Sequence, residues 1–358
     1  MRRLPLLAAG MLSLVLGVLA GLARSGLAMP VVQPGHLAMH GPLMVGAFLG
    51  TVICLERAVA HGGRWAYLAP ALAALSAVAL WLPIRPGVAA LCQVAAGAAL
   101  VTVSWRLHLR QPALHSQVLA VAAACWPLGA LLWLGSSDPG RAVVAWQAFL
   151  VLTIAAERLE LSRFAPRRPG ATRGFLVGLS ACAGGAGLSA FAPAAGEAVF
   201  AIGALMLSIW LGRHDVARRT AKQPGLTGYI GRCLLLGYLW LAAGALLLLG
   251  VASGAAAPLA RDAALHAVLL GFVMSMVLGH APVILPAVLR VRMPYHPVFY
   301  LPLVLLHATL LLRVGADLAG LPGLRAAGAA GNALALLAFV ATTVSAVVRG
   351  SRARARRS

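Results

Sequence analysis

Seven side chains could do chemistry inside an otherwise apolar chain: His36, His40, Glu56, Glu157, His266, His280 and His307. His36 and His40 stand four residues apart in GHLAMHG. On an α-helix that spacing puts both imidazoles on one face. Two such rings could share a metal, or one could ligate an iron porphyrin while the other hydrogen-bonds nearby. His266 opens LHAVLLG and His280 follows fourteen residues later in LGHAPVILPAV. At ~1.5 Å per residue they stand about 21 Å apart along a helix, too far for one metal to bridge. His307 lies within LVLLHATLLLR. A buried ionisable group in lipid faces a partner or a cavity, which makes His307 the sharpest candidate ligand. The competing reading for each is a histidine satisfied by water or by a neighbouring helix carbonyl.

The candidate metal ligands are therefore His36, His40, His266, His280 and His307. A cofactor would sit in the outer half, between the helices carrying His36 and His40, His266, and His307. Its propionates could meet Arg313, which could equally reach the headgroups. His280 is too deep to share that site unless a second metal is present. Pro282 and Pro286 should kink the helix beyond it. Glu56-Arg57 and Glu157-Arg158, with Glu160 nearby, read as locally neutralised pairs or as a route for protons. His61, His108, His115, His214 and His296 read as interfacial residues, and Met274 and Met276 as packing. Five cysteines (Cys54, Cys92, Cys125, Cys182 and Cys233) lie singly, with no metal or redox spacing. No C-x-x-C-H occurs, so any haem is non-covalent, b-type; no nucleotide-binding glycine pattern occurs either.

The elements that must position these groups are membrane spans. The chain has 358 residues, 61% apolar and 10% charged, with mean hydropathy +0.91. Too few charges are present to cover a soluble surface, where about 25% is usual. A span needs about 20 apolar residues. Such stretches fall at about 4–22, 36–60, 66–84, 87–107, 115–135, 141–160, 173–192, 196–212, 227–250, 262–289, 297–317 and 326–348. The fold class is all-α: a polytopic bundle of about twelve transmembrane helices. Connections are short, so residues 1–358 form a single membrane domain, with 349–358 as a basic tail. The first span imitates a secretory signal, but its apolar run is longer than usual, and it reads as an uncleaved anchor.

The net charge of +21 does not indicate a nucleic-acid partner, because the basic residues sit in short connections and the tail. With the N-terminus cytoplasmic, 23 of the 29 basic residues fall on that side and 6 on the other. Both termini are then cytoplasmic by the positive-inside rule. The lipid bilayer is the partner this composition requires, and a bacterial cytoplasmic membrane is the expected location. A short echo links AFLGTVICLER (47–57), AFLVLTIAAER (148–158) and, more loosely, GFVMSMVLGH (271–280). Each copy puts a polar residue at one depth of its helix.

At LHAVLLGFVMSMVLGHAPVILPAVL and HLAMHG the chain resembles the NnrS family of bacterial membrane proteins. His266, Gly271, Met274, Met276, Gly279 and His280 match that family's histidine-led helix, and His36 and His40 its early histidine helix. The continuation APVILPAVL after His280 is less polar than the family's. The resemblance implies twelve spans, haem with copper as a second metal, and a link to the nitric oxide response. The expected function is thus a haem-binding, or haem–copper, inner-membrane protein taking a diatomic gas or a redox partner. The alternative is a proton-coupled transporter with His280 and His307 lining its path.

Overall fold

The computed structural model describes residues 3–82, 84–161, 170–254 and 256–355, and every regular element among them is helical. Among the described residues twelve long helices follow one another: α1 Arg3–Arg24, α2 Pro42–His61, α3 Arg64–Trp81, α4 Pro86–Arg110, α5 Leu114–Ser136, α6 Pro139–Leu161, α7 Ala171–Leu188, α8 Pro193–His214, α9 Gly225–Ala252, α10 Ala260–Leu289, α11 Pro297–Ala319 and α12 Pro322–Ala355. All but α7 are long and apolar enough to cross a membrane, which makes this a multi-pass membrane protein. The α7 segment carries Arg173 in its first turn and five glycines, which lowers its hydropathy. Proline opens α2, α4, α6, α8, α11 and α12, where its missing N–H costs nothing. Gly62 and Gly320 close α2 and α11 in the left-handed conformation, at φ 80° and 67°. Helix α12 runs on into the basic tail as far as Ala355.

The chain divides into two compact units. The first comprises residues 1–160 and 179–200; the second comprises 161–178 and 201–358. In the first, α3 lies against α4, α4 against α5, and α1 against α2. In the second, α9 lies along α10 and α11 along α12.

One backbone irregularity occurs in both units. Pro42–Leu49 and Ala267–Val273 are π-helical, and each passes into regular α-helix at the next residue. Leu49 and Val273 are the third residues of AFL and GFV, so the echo extends to the backbone. The helix after each also opens with a 3₁₀ turn, Arg64–Tyr67 and Pro297–Phe299. In α6, the other copy, Val143–Leu161 is α-helical throughout. π-helical turns are rare and recur at functional sites.

The departure from regular geometry in α10 thus precedes His280 rather than following it. Pro282 and Pro286 sit within continuous helix, Met274–Leu289. Pro282 has no N–H for the carbonyl of Leu278 one turn back, and the buried Tyr229 hydroxyl donates to that oxygen at 3.3 Å.

Candidate functional site: the histidines and their neighbours

His36 and His40 do not share a face. Pro34–Met39 is a 3₁₀ turn ahead of α2, so the four-residue spacing no longer superposes the two rings. His36 stacks on Trp81 of α3, with ring centroids 4.3 Å apart, and its Nδ1 accepts from the Gln33 N–H at 3.2 Å. His40 turns to α1 instead. Its Nδ1 lies 2.7 Å from the Gly17 carbonyl, and its ring rests against Gly21, where a Cβ would come within 2.8 Å.

In the second unit α10 presents His266 beside Asp262, one turn earlier. His266 Nδ1 is 2.8 Å from the Asp262 carbonyl and 3.4 Å from its Oδ2. That carboxylate also takes Arg313 of α11 at 3.3 Å and Arg325 of α12 at 3.2 Å. Arg325 Nε stands 2.8 Å from Asp317 Oδ1, so two aspartates and two arginines tie three helices at one end. Arg313, expected to reach a propionate or the headgroups, is thus 7% exposed and engaged by Asp262.

His307 is buried and held on both sides. The indole N–H of Trp240 on α9 donates to its Nδ1 at 2.8 Å, and Ser275 Oγ of α10 stands 3.4 Å from its Nε2. Trp240 reaches this position by lying across Gly271, where any side chain would overlap its indole. The ring expected to be the foremost ligand is thus a tie between α9, α10 and α11. Replacing His307 with alanine is expected to cost about 3 kcal/mol, through the cavity and the unpaired Trp240 N–H. Glutamine, which keeps an acceptor, should recover part of it. A thermal or denaturant unfolding comparison checks this; equal stability of the alanine variant would refute the tie.

The partners also assign the tautomers. A carbonyl oxygen only accepts, so a ring nitrogen bonded to one carries the proton. His40, His266 and His280 each donate Nδ1–H to a main-chain carbonyl, of Gly17, Asp262 and Met276, the last at 2.7 Å. Their neutral rings keep the lone pair on Nε2. His36 and His307 accept at Nδ1 from a backbone and an indole N–H, so their neutral rings carry the proton on Nε2. A metal-ligating histidine characteristically donates its other ring N–H to a carbonyl or carboxylate. The five candidates therefore separate into two chemical kinds. Among the described residues no three His, Cys, Asp or Glu side chains converge as a metal cage.

Glu157 of α6 accepts from Arg57 of α2 at 2.8 Å, and Glu56 lies 3.4 Å from the same Arg57 nitrogen. This is the expected neutralisation, but between helices rather than only between sequence neighbours. The interfacial histidines are locally engaged: His108 with Ser116 at 2.8 Å, His115 with Glu160 at 3.7 Å, His214 with the Trp210 carbonyl at 3.0 Å. His61 and His296 each accept from a backbone N–H two residues on, at 3.1 Å. All five cysteines are free, and Met274 and Met276 are buried. Sequence reasoning passed over Asp262, Asp317, Trp240, Gln93 and Gln147. The signal for the aspartates was available: DAALH places a carboxylate one turn before His266, and an Asp inside an apolar helix needs a partner.

Residues 3–348 match the model of a family described as a domain of unknown function (DUF8744), and the chain belongs to that family. Neither curated proteins nor solved structures give a match.

Proposed function

We propose that the protein binds haem b in a bacterial cytoplasmic membrane, with one axial imidazole supplied by His40, His266 or His280. The observation that carries this reading is the shared tautomer of those rings, each anchored through Nδ1 to a main-chain carbonyl. A bare copper ion takes several protein donors, whereas a porphyrin brings four nitrogens and can be held by a single axial imidazole. Single, separately placed histidines suit the second case. Asp262, held by Arg313 and Arg325, would fix the ring of His266 and raise its basicity as a ligand. The glycine seat beneath His40 would do the same by shape. A bound haem would supply an iron able to take a diatomic ligand or change oxidation state. The resemblance to the NnrS family points toward nitric oxide as that ligand.

Purified protein from haem-supplied cells should show a Soret band. His40→Ala, His266→Ala and His280→Ala are each tested for loss or shift of the band, and at least one should remove it. His36→Ala and His307→Ala should leave its position unchanged. A wild-type protein without the band, or a band indifferent to all three ligand variants, would overturn the assignment.

A further inference from the structure

The first unit contains buried polar groups on four helices that the protein itself does not satisfy. On α2, Gly46, Gly50 and Arg57 recur at four- and seven-residue spacing and so lie along one side of the helix. The Gln93 amide from α4 fills the space over Gly46. Its Nε2 donates to the Pro42 carbonyl at 3.2 Å and stands 3.4 Å from Ser76 Oγ, while its Oε1 has no protein partner. The Trp126 ring from α5 lies over Gly50, where a Cβ would come within 2.7 Å, and its Nε1 has no protein partner. Phe149 of α6 stacks on Trp126 at 5.5 Å. One turn back along α6 the Trp146 ring lies near Gly41 of α2, with its indole nitrogen unbonded. The next residue, Gln147, faces another side of α6 and is wholly buried, with neither end of its amide bonded to protein. Two turns beyond Gly50 on α2, Arg57 meets Glu157 at 2.8 Å, and its Nε is unbonded.

These are six buried polar atoms: Gln93 Oε1, Trp126 Nε1, Trp146 Nε1, both ends of Gln147 and Arg57 Nε. A buried group without a partner costs about 1–3 kcal/mol. Six left bare would together cost about 6–18 kcal/mol, comparable with the whole stability of a folded domain. Something other than protein must bond them. The set mixes N–H donors with carbonyl acceptors, so neither an anion nor a metal cation suits it. Water, which donates and accepts, does.

We propose that α2, α4, α5 and α6 enclose a string of ordered waters that serves as a proton inlet. It opens at Glu56 and Glu157, whose side chains are 29% and 22% exposed, and ends at Gln93 beside Gly46. Gly46 and Arg57 are eleven residues apart, so its depth is about 16 Å. The arginine distribution puts the mouth on the cytoplasmic side. The two carboxylates exchange protons with solvent. The glutamines and indoles cannot ionise in this range, and they hold the waters in line. The inlet is independent of the haem reading, since none of its residues is a proposed iron ligand.

Radiolytic footprinting in ¹⁸O-water reports ordered internal water directly. Trp126 and Trp146 should be labelled, while Trp210, buried with its N–H on the Ala171 carbonyl at 2.7 Å, should not. Gln147→Leu should reduce the labelling several-fold and lower the melting temperature, because it removes a hydrated partner. Labelling no greater than at Trp210, or a Gln147→Leu protein that melts higher with unchanged labelling, would show these groups to be dry and overturn the proposal. A second variant addresses the proton role without disturbing the interior. In Glu157→Gln the labelling should persist, while deuterium exchange at the Trp126 and Trp146 indole N–H slows several-fold. Unchanged exchange there would overturn the inlet.

Discussion

Asp262→Asn is expected to lower stability by about 3–5 kcal/mol, the range for breaking a buried ion pair from one side. Its Oδ2 meets Arg313, Arg325 and His266 at 3.2 to 3.4 Å, all three side chains being less than a fifth exposed. Asparagine keeps the shape and loses the charge. Two arginines would then share Asp317, and the end of α10 would lose its tie to α11 and α12. The loss should appear as a lower unfolding midpoint. An apolar replacement of the whole group, Asp262→Leu and Asp317→Leu with Arg313→Met and Arg325→Met, should recover much of it, because apolar groups need no partner. A change below about 0.5 kcal/mol in the single variant would mean that the network is solvated as a surface pair is.

A comparably large effect is expected from Gly185→Val, for a steric reason. Here α7 and α8 meet backbone to backbone. A Cβ on Gly185 would stand 2.7 Å from the Gly196 carbonyl oxygen and 2.8 Å from Phe200 Cα; one on Gly196 would stand 2.7 Å from the Gly185 oxygen. These are main-chain atoms, which cannot rotate aside as a side-chain tip can. Small residues at such crossings are what let membrane helices approach closely. The helices would have to separate, at a cost of about 3 kcal/mol or more. Gly187→Val is the control, since nothing lies within 4 Å of a Cβ there. Unfolding midpoints should fall for Gly185→Val alone. Equal behaviour of the two would show that the close crossing does not hold in the membrane.

The amino-acid sequence by itself determined the class and the helices. Runs of about twenty apolar residues can be stable only in lipid, and there each must satisfy its own backbone as a helix. The prolines and glycines at helix ends are local signals, so most boundaries were legible to within a few residues. That the glutamates are neutralised by arginine was legible as well, because an apolar setting demands it, but that Arg57 serves both was not. What the sequence could not decide was direction. The spacing of His36 and His40 implied one face only if the segment were α-helical, and its 3₁₀ turn sends one ring to Trp81 and the other to Gly17.

His307 looked like the best ligand because its own helix offers it no polar neighbour. Its partners, Trp240 and Ser275, lie 67 and 32 residues away and are supplied only by packing. The same holds for Gln93 and Gln147, which look unremarkable within apolar runs. Their meaning depends on which groups from other helices stand beside them. Hydrogen bonds across a bundle join residues distant in the chain, and local pattern carries no record of them. The tertiary structure therefore decided which imidazoles keep a lone pair on Nε2, which arginine is already paired, and where buried polar groups lack a protein partner.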